Sequence, residues 1–257
     1  MLERIAITRA VSPALGDCEL THLARVPIDV ELARAQHRTY EQTLAAAGYR
    51  VEQLETDAAM PDSVFVEDMA VVFDELAILT HPGAESRRGE MPAIAAALAA
   101  YRPLQAIQPP GTADGGDILV AGRTVFVGIS TRTNADAAAQ IRRILGPFGY
   151  AVIETRVRDC LHLKSAVTAL DDERLLVNPR WIDRGAFDGF ALIEVAPDES
   201  SAANALRLAD RVVLAREFPR TADRVRALGL RVELVDESEL AKAEGAVTCC
   251  SLIVDSR

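Results

Sequence analysis

The residues of this chain best suited to chemistry are dispersed: adjacent thiols at Cys249 and Cys250, a histidine among leucines at His162, and acids at 62–68 and 114–117. A thiol becomes a useful nucleophile only beside a base or a positive charge. The thiols stand in Gly245-Ala-Val-Thr-Cys-Cys-Ser-Leu-Ile-Val254, whose apolar end, Cys250 to Val254, predicts a short buried strand. Neighbours on a strand point to opposite faces, so only one of the two cysteines can serve a given site. His162, in Cys160-Leu-His162-Leu-Lys164-Ser165, stands at the mouth of another expected strand. In isolation such a histidine is more often a satisfied core residue than a base. Cys160 points along the same strand and cannot meet it head-on.

Pro61-Asp62-Ser-Val-Phe-Val-Glu67-Asp68 inserts acids into what otherwise reads as one buried strand, Val64 to Phe73. A buried carboxylate needs a cation or several hydrogen bonds. That cation is either one of the chain's own arginines or part of a substrate. A guanidinium, planar and five-donored, suits a set of carboxylates well. Pro109-Pro-Gly-Thr-Ala-Asp114-Gly-Gly-Asp117 is an acidic, glycine-rich turn. Its acids would repel phosphate and its ligands are too few for calcium, so orienting a histidine is the better use. Arg87 and Arg132 lie in loops that follow strands. Arginines there are usually surface charges, but two at matching places offer a bidentate clamp for an α-carboxylate.

These residues need elements to bring them together. Strands are expected at Ile5 to Arg9 and Tyr49 to Leu54, around a helix capped by Asp29 and ended by Gly48. Val64 to Phe73 and Leu76 to Thr80 form a hairpin, followed by an alanine-rich helix opening at Pro92 and a strand Leu104 to Ile107. The pattern returns with Asp117 to Val120, Thr124 to Ile129, a helix capped by Asn134 and Tyr150 to Ile153. It returns again with Ser165 to Leu170, Leu175 to Asn178, a shorter connection and Phe190 to Val195. The fourth copy has Ala205 to Leu208, Arg211 to Ala215, a helix capped by Thr221 and Leu230 to Val235. The fifth is split between Cys250 to Val254 and Ile5 to Thr8. Asp68, Asp117, His162, Asn204 and Cys249 each open one unit, about 42 to 49 residues apart. Strand–strand–helix–strand units whose last member needs both termini predict a closed α/β ring, which also removes exposed strand edges. In that ring the five polar positions converge on one central channel. The alternative is a three-layer α/β sheet with these residues scattered.

The whole chain narrows the function. At 257 residues, 49% hydrophobic and 26% charged, it has the composition of a globular protein able to bury a substantial core. A net charge of −10 argues against nucleic acid and anionic membranes as partners. Four cysteines at 18, 160, 249 and 250 give no disulfide framework, and neither CxxC nor HExxH supplies metal-ligand spacing. Met1 to Arg4 does not read as a signal peptide, and no apolar run approaches the ~18 residues of a membrane span. A cytoplasmic, soluble protein with reduced thiols and no metal is expected.

With Pro-Asp-Ser-Val-Phe-Val-Glu-Asp, Gly-Ala-Glu-Ser-Arg-Arg-Gly-Glu, Arg-Thr-Asn, Leu-His-Leu-Lys and Thr-Cys-Cys-Ser-Leu in this order, the chain resembles dimethylarginine dimethylaminohydrolases. These belong to the wider guanidino-group-modifying (pentein) superfamily. The resemblance spans nearly the whole chain. It implies a five-bladed α/β propeller forming a single catalytic domain over 1–257. It implies hydrolysis of Nω,Nω-dimethyl-L-arginine and monomethyl-L-arginine to L-citrulline through a covalent thiouronium, with no cofactor. Carried over position by position, Cys249 is the nucleophile, His162 the general acid and base, and Asp114 the acid supporting it. Asp68 binds the guanidinium, with Glu67 beside it and near His162; Asp62 holds the α-amino group and Arg87 and Arg132 the α-carboxylate; Cys18 and Ala243 contact substrate through their backbones. The expected partners are a small guanidino amino acid and a second copy of the chain, as a homodimer. Arginine deiminase, amidinotransferase and a non-catalytic propeller used as a binding module remain as alternatives.

Overall fold

A computed structural model describes residues 4–56 and 58–255. Residues 1–3, on which the reading of the N-terminus largely rested, lie outside the described residues, as do 57, 256 and 257 and with them both ends of the expected single domain. The described residues form five three-stranded sheets. In each, an antiparallel hairpin is followed by a crossover to a parallel outer strand, as in Ala70–Val72, Ala77–Leu79 and Leu104–Ala106. The second sheet has Ile118–Ala121, Thr124–Ile129 and Ala151–Arg156; the third has Val167–Ala169, Arg174–Val177 and Ala191–Glu194. The fourth has Leu206–Leu208, Arg211–Ala215 and Arg231–Val235. The fifth joins the two ends of the chain: Leu252–Asp255 pairs antiparallel with Arg4–Arg9, which pairs parallel with Arg50–Leu54.

Residues of all five inner strands, among them Val71, Leu119, Thr168, Leu206 and Leu252, surround one axial cavity. The architecture is therefore the five-bladed propeller, and the three-layer sheet is excluded. Each blade buries both faces against its neighbours, which is why the middle strands read as unbroken apolar runs such as Val125-Phe-Val127. Asp29 and Asn134 cap the helices Val30–Ala46 and Ala135–Leu145 by accepting from Leu32 and Ala137 N–H.

Several boundaries differ from the sequence pattern, and the differences cluster at the inner ends of the blades. Val64 to Phe73 is not one strand: Val66–Met69 is a 3₁₀ turn and pairing begins only at Ala70. Gly115–Asp117 is likewise 3₁₀, and Leu163–Ala166 is a helical turn. The strand expected from Cys250 starts at Leu252, leaving both thiols in a turn. Strand pairing would send alternate residues into the apolar core, whereas a tight turn lets consecutive polar residues leave it in different directions. Thr221 is not a cap either. It lies inside the helix Pro219–Ala227, whose first N–H groups, on Arg220 and Thr221, donate to the Glu199 carboxylate.

Candidate active site

Those inner turns build the site. Asp62, Asp68, Arg87, Asp114, Arg132, His162, Ala243 and Cys249 line one cleft on the face of the ring, together with Glu19, Phe65, Leu161 and Glu244. Cys249 is partly exposed there, while Cys250 is fully buried in the core. Only one of the two thiols reaches the cleft, by the geometry of a turn and not by strand alternation. The turn is pinned from behind by the helix Val30–Ala46, since the Tyr40 hydroxyl donates to the Val247 carbonyl at 2.9 Å and meets Ser251 Oγ at 2.7 Å. Glu67 N–H donates to the Cys249 carbonyl at 3.1 Å.

His162 is held between two carboxylates. Its Nε2 lies 3.2 Å from Asp114 Oδ2, and its Nδ1 lies 3.9 Å from Asp68 Oδ1. Burial alone would depress the imidazole, but the charge of Asp68, the hydrogen bond to Asp114 and the charge of Asp117 raise it to about 9. The glycines of the acidic turn have a specific use, because a Cβ on Gly116 would stand 2.6 Å from His162 Nδ1 and 3.1 Å from Asp68 Oδ1. Asp114 is oriented by Gly83 N–H, which donates to its Oδ1 at 3.0 Å, and Arg132 approaches its Oδ2 at 3.8 Å. The Cys249 thiol is pushed well up, by burial first and then by the charges of Glu67 and Asp68, so thiol and imidazole both hold their protons in the resting cleft.

Asp68 is paired with an arginine of the chain, as one of the two sequence readings required: Arg87 Nη1 donates to its Oδ2. Burial would raise this carboxyl, but the charges of His162 and Arg87 bring it below the ordinary range. Arg87 is not an open clamp. It donates inward to Glu90 and to the carbonyls of Asp62 and Phe65, and its side chain is 5% exposed. Arg132 is the more available of the two, with Nη2 donating to Thr21 Oγ1 at 3.2 Å. Asp62 accepts from Glu19 N–H at 3.1 and 3.2 Å, and burial pushes it up to about 6.

Two residues expected at the site stand elsewhere. Glu67 turns away from the cleft to the axial cavity, where it is bound by Lys164 Nζ and Thr248 Oγ1, each at 2.7 Å. The Cys18 carbonyl accepts from Arg25 Nη2 at 2.6 Å, and it is the next residue, Glu19, that reaches the cleft. The convergence of five polar positions is also only partial. Asp117 is buried, accepting from Leu163 N–H and Ser130 Oγ, and Asn204 bonds Thr248 and the Lys164 carbonyl. Both tie one blade to the next. Sequence reasoning missed Glu244, whose carboxylate accepts from the N–H groups of Thr21, His22 and Leu23 and so latches the loop over the cleft. Its only local signal is the glycine after it. Among the described residues, Asp68, Asp114 and His162 bring one ligating atom each within 4.8 Å of one another, the one grouping with the spacing of a metal site. An imidazole that keeps its proton to about pH 9 is a poor metal ligand, and its two N–H groups already face the carboxylates.

Comparison with known proteins finds relatives that span the whole fold. Residues 24–184 match the family model described as N,N dimethylarginine dimethylhydrolase, eukaryotic. The chain is 40% identical over 255 residues to the N(G),N(G)-dimethylarginine dimethylaminohydrolase of Streptomyces coelicolor, covering 98% of this chain and 97% of that one. Among solved structures, a cysteine-to-serine mutant of the Pseudomonas aeruginosa enzyme in complex with citrulline superposes with a TM-score of 0.91 at 35% identity, covering 99% of this chain and all of that one. The N-terminal domain of a cyanobacterial arginine dihydrolase, at 20% identity and a TM-score of 0.89, covers 99% of this chain and 98% of that one, and shares the fold.

Proposed function

The chain belongs to the dimethylarginine dimethylaminohydrolase family, and from that membership we propose that it hydrolyses Nω,Nω-dimethyl-L-arginine and Nω-monomethyl-L-arginine to L-citrulline, releasing dimethylamine or methylamine. The observation that carries this reading is the meeting, in one cleft, of a thiol, an imidazole braced by Asp114, and the carboxylate of Asp68. A guanidinium carbon is a poor electrophile and calls for a strong nucleophile. The resting thiol is neutral because two carboxylates and burial oppose its ionisation. A bound substrate cation reverses that balance, so ionisation of Cys249 accompanies binding. Asp68 takes the guanidinium, Asp62 the α-amino group and Arg132 the α-carboxylate, with the charge of Arg87 behind it. Glu67, through Thr248 and the Cys249 carbonyl, positions the thiol.

Attack of Sγ on the guanidinium carbon gives a tetrahedral adduct. The proton held by His162 passes to the departing amine nitrogen as its C–N bond breaks, leaving an S-alkyl thiouronium. The imidazole, now neutral, takes a proton from water as its oxygen adds to the same carbon. Collapse breaks the C–S bond as the proton of the new hydroxyl passes to sulfur, which restores the resting thiol and releases citrulline. General acid and base catalysis of this kind contributes ~10²–10⁴-fold. The unit that acts is the propeller of residues 1–257, in the cytoplasm, on a small amino-acid substrate.

The test is citrulline release from dimethylarginine, monomethylarginine and arginine assayed side by side. Release from the methylated forms above arginine is expected, with Cys249→Ser reducing turnover by at least ~10³-fold and Cys250→Ser largely sparing it. Mass spectrometry of enzyme quenched during turnover should find an adduct on the peptide containing Cys249. A preference for arginine would move the substrate assignment to deimination, and a fully active Cys249→Ser enzyme would end the covalent scheme.

A further inference from the structure

A second cavity of about 570 Å³ lies beside the cleft, with Leu161 and Glu244 in the walls of both. It is much larger than the catalytic cleft and plays no part in the reaction described above. Among the described residues, its charged side chains are the acids Asp159, Glu217, Glu237 and Glu244, with His22 the one basic residue and neither lysine nor arginine in its wall. Glu244 is committed to the loop N–H groups. Glu237 is not committed. It is 4% exposed, and neither carboxylate oxygen has a hydrogen-bond partner among the described residues. Leaving such a group unsatisfied is costly, so its retention in the wall of a cavity points to a partner that arrives from outside the chain. Burial, then the charges of Glu217 and Asp236, push its carboxyl up to about 8, which marks a local excess of negative charge. Trp181 and Phe218, both partly buried, supply aromatic surface in the same wall, and aromatic faces attract cations.

We propose that this cavity is a second binding site, for an arginine-sized organic cation such as a guanidinium or alkylammonium, with its charge at Glu237 and Glu217 and its flat or apolar part against Trp181 and Phe218. Binding displaces the proton that Glu237 otherwise keeps, so this buried carboxylate ionises only against its cation. Anions are excluded by the acids, and the volume exceeds what a bare ammonium would fill. A ligand there touches Leu23 and Glu244, so it bears on the loop that covers the cleft, and it abuts Ala246 and Val247 just before the nucleophile's turn. The site does not depend on the hydrolytic assignment, since it is defined by groups the reaction does not use.

Trp181 is the only tryptophan of the chain, so intrinsic fluorescence reports on this cavity directly. Benzylguanidinium, which lacks the α-amino and α-carboxylate groups of an amino-acid substrate, is the probe, titrated into the parent protein and into Asp68→Asn, Glu237→Gln and Glu217→Gln. A saturable change in emission is expected in the parent and retained in Asp68→Asn, which weakens the cleft alone. The affinity should fall at least tenfold in Glu237→Gln and about threefold in Glu217→Gln. Glu217 is exposed, so its variant keeps the test decisive if Glu237→Gln does not fold. No saturable change in the parent, or parent-like titration in Glu217→Gln and in a folded Glu237→Gln, overturns the proposal. Loss of the signal in Asp68→Asn overturns it as well, by returning the binding to the cleft. Because the readout is binding, a protein that releases no citrulline would leave this result standing.

Discussion

At the scale of single residues, the state of His162 is decided by which of two opposing effects is larger. Burial drives its proton off, and Asp68, Asp114 and Asp117 hold it on more strongly, to about pH 9. In the proposed reaction that proton goes to the leaving amine, so kcat/KM should fall on an alkaline limb near 9. Asp114→Asn removes both a hydrogen bond and a charge that raise the imidazole. The limb should move to lower pH, and kcat should fall by about a hundredfold as the ring loses its brace. A pH–rate profile of the variant that keeps its limb at 9 would remove Asp114 from this role. Glu237 gives a stability prediction. Its carboxyl is raised from an ordinary 4.5 to about 8, so its contribution to stability is fully present below 4.5 and is lost as the pH rises toward 8. Each unit within that window is worth about 1.4 kcal/mol. Denaturant unfolding between pH 5 and 8 should therefore show a steeper loss of stability in the parent than in Glu237→Gln.

The element that decides access is the loop after Cys18, tied down at Thr21, His22 and Leu23 by the Glu244 carboxylate and at Thr21 by Arg132. Glu244 has a positive φ of 60°, which turns the backbone just before Gly245. Gly245 in turn admits Phe65, whose ring would lie 2.3 Å from an added Cβ. Glu244→Ala frees three N–H groups at a partly solvated position, where charged hydrogen bonds are worth ~1 kcal/mol in total after screening. The expected outcome is a KM raised about fivefold with kcat changed less, and faster amide exchange confined to residues 19–23. Unchanged exchange there would show that the latch does not hold the loop. Of this element only its position was legible in sequence: the Gly-Asp-Cys-Glu-Leu run marks the loop, but the residue that reaches the cleft is Glu19, because Arg25 takes the Cys18 carbonyl.

At the scale of the whole molecule, the last strand closes the ring. Leu252 and Val254 are buried, and their strand pairs with Arg4–Ile7. Burying each large apolar side chain stabilises by ~1.5–3 kcal/mol, and the removed ladder leaves backbone groups unpaired, so the total is comparable to the ~5–15 kcal/mol of a typical domain. Deleting residues 251–257 should abolish the cooperative thermal transition as well as turnover. A truncated protein that melts cooperatively near the parent's Tm would mean that the ring does not depend on its clasp.

The sequence by itself determined the period, the hairpins, two of the helix caps and the pairing of the two ends, because these rest on local preferences and on alternation that neighbouring residues impose on one another. It also marked out the chemistry of Cys249, His162, Asp114 and Asp68, whose types are hard to explain as packing. Only the tertiary structure decided how those residues face. Asp68 could point to the cleft because Arg87 supplies its charge and Gly116 gives it an N–H, and Glu67 could turn to the axis because Lys164 and Thr248 stand there. Those partners lie on other blades or loops, so no local pattern encodes the 3₁₀ turn that separates the two acids. The same holds for Glu244 and for the unpaired Glu237, ordinary surface letters in the chain that the closure of the ring brings to the walls of two cavities.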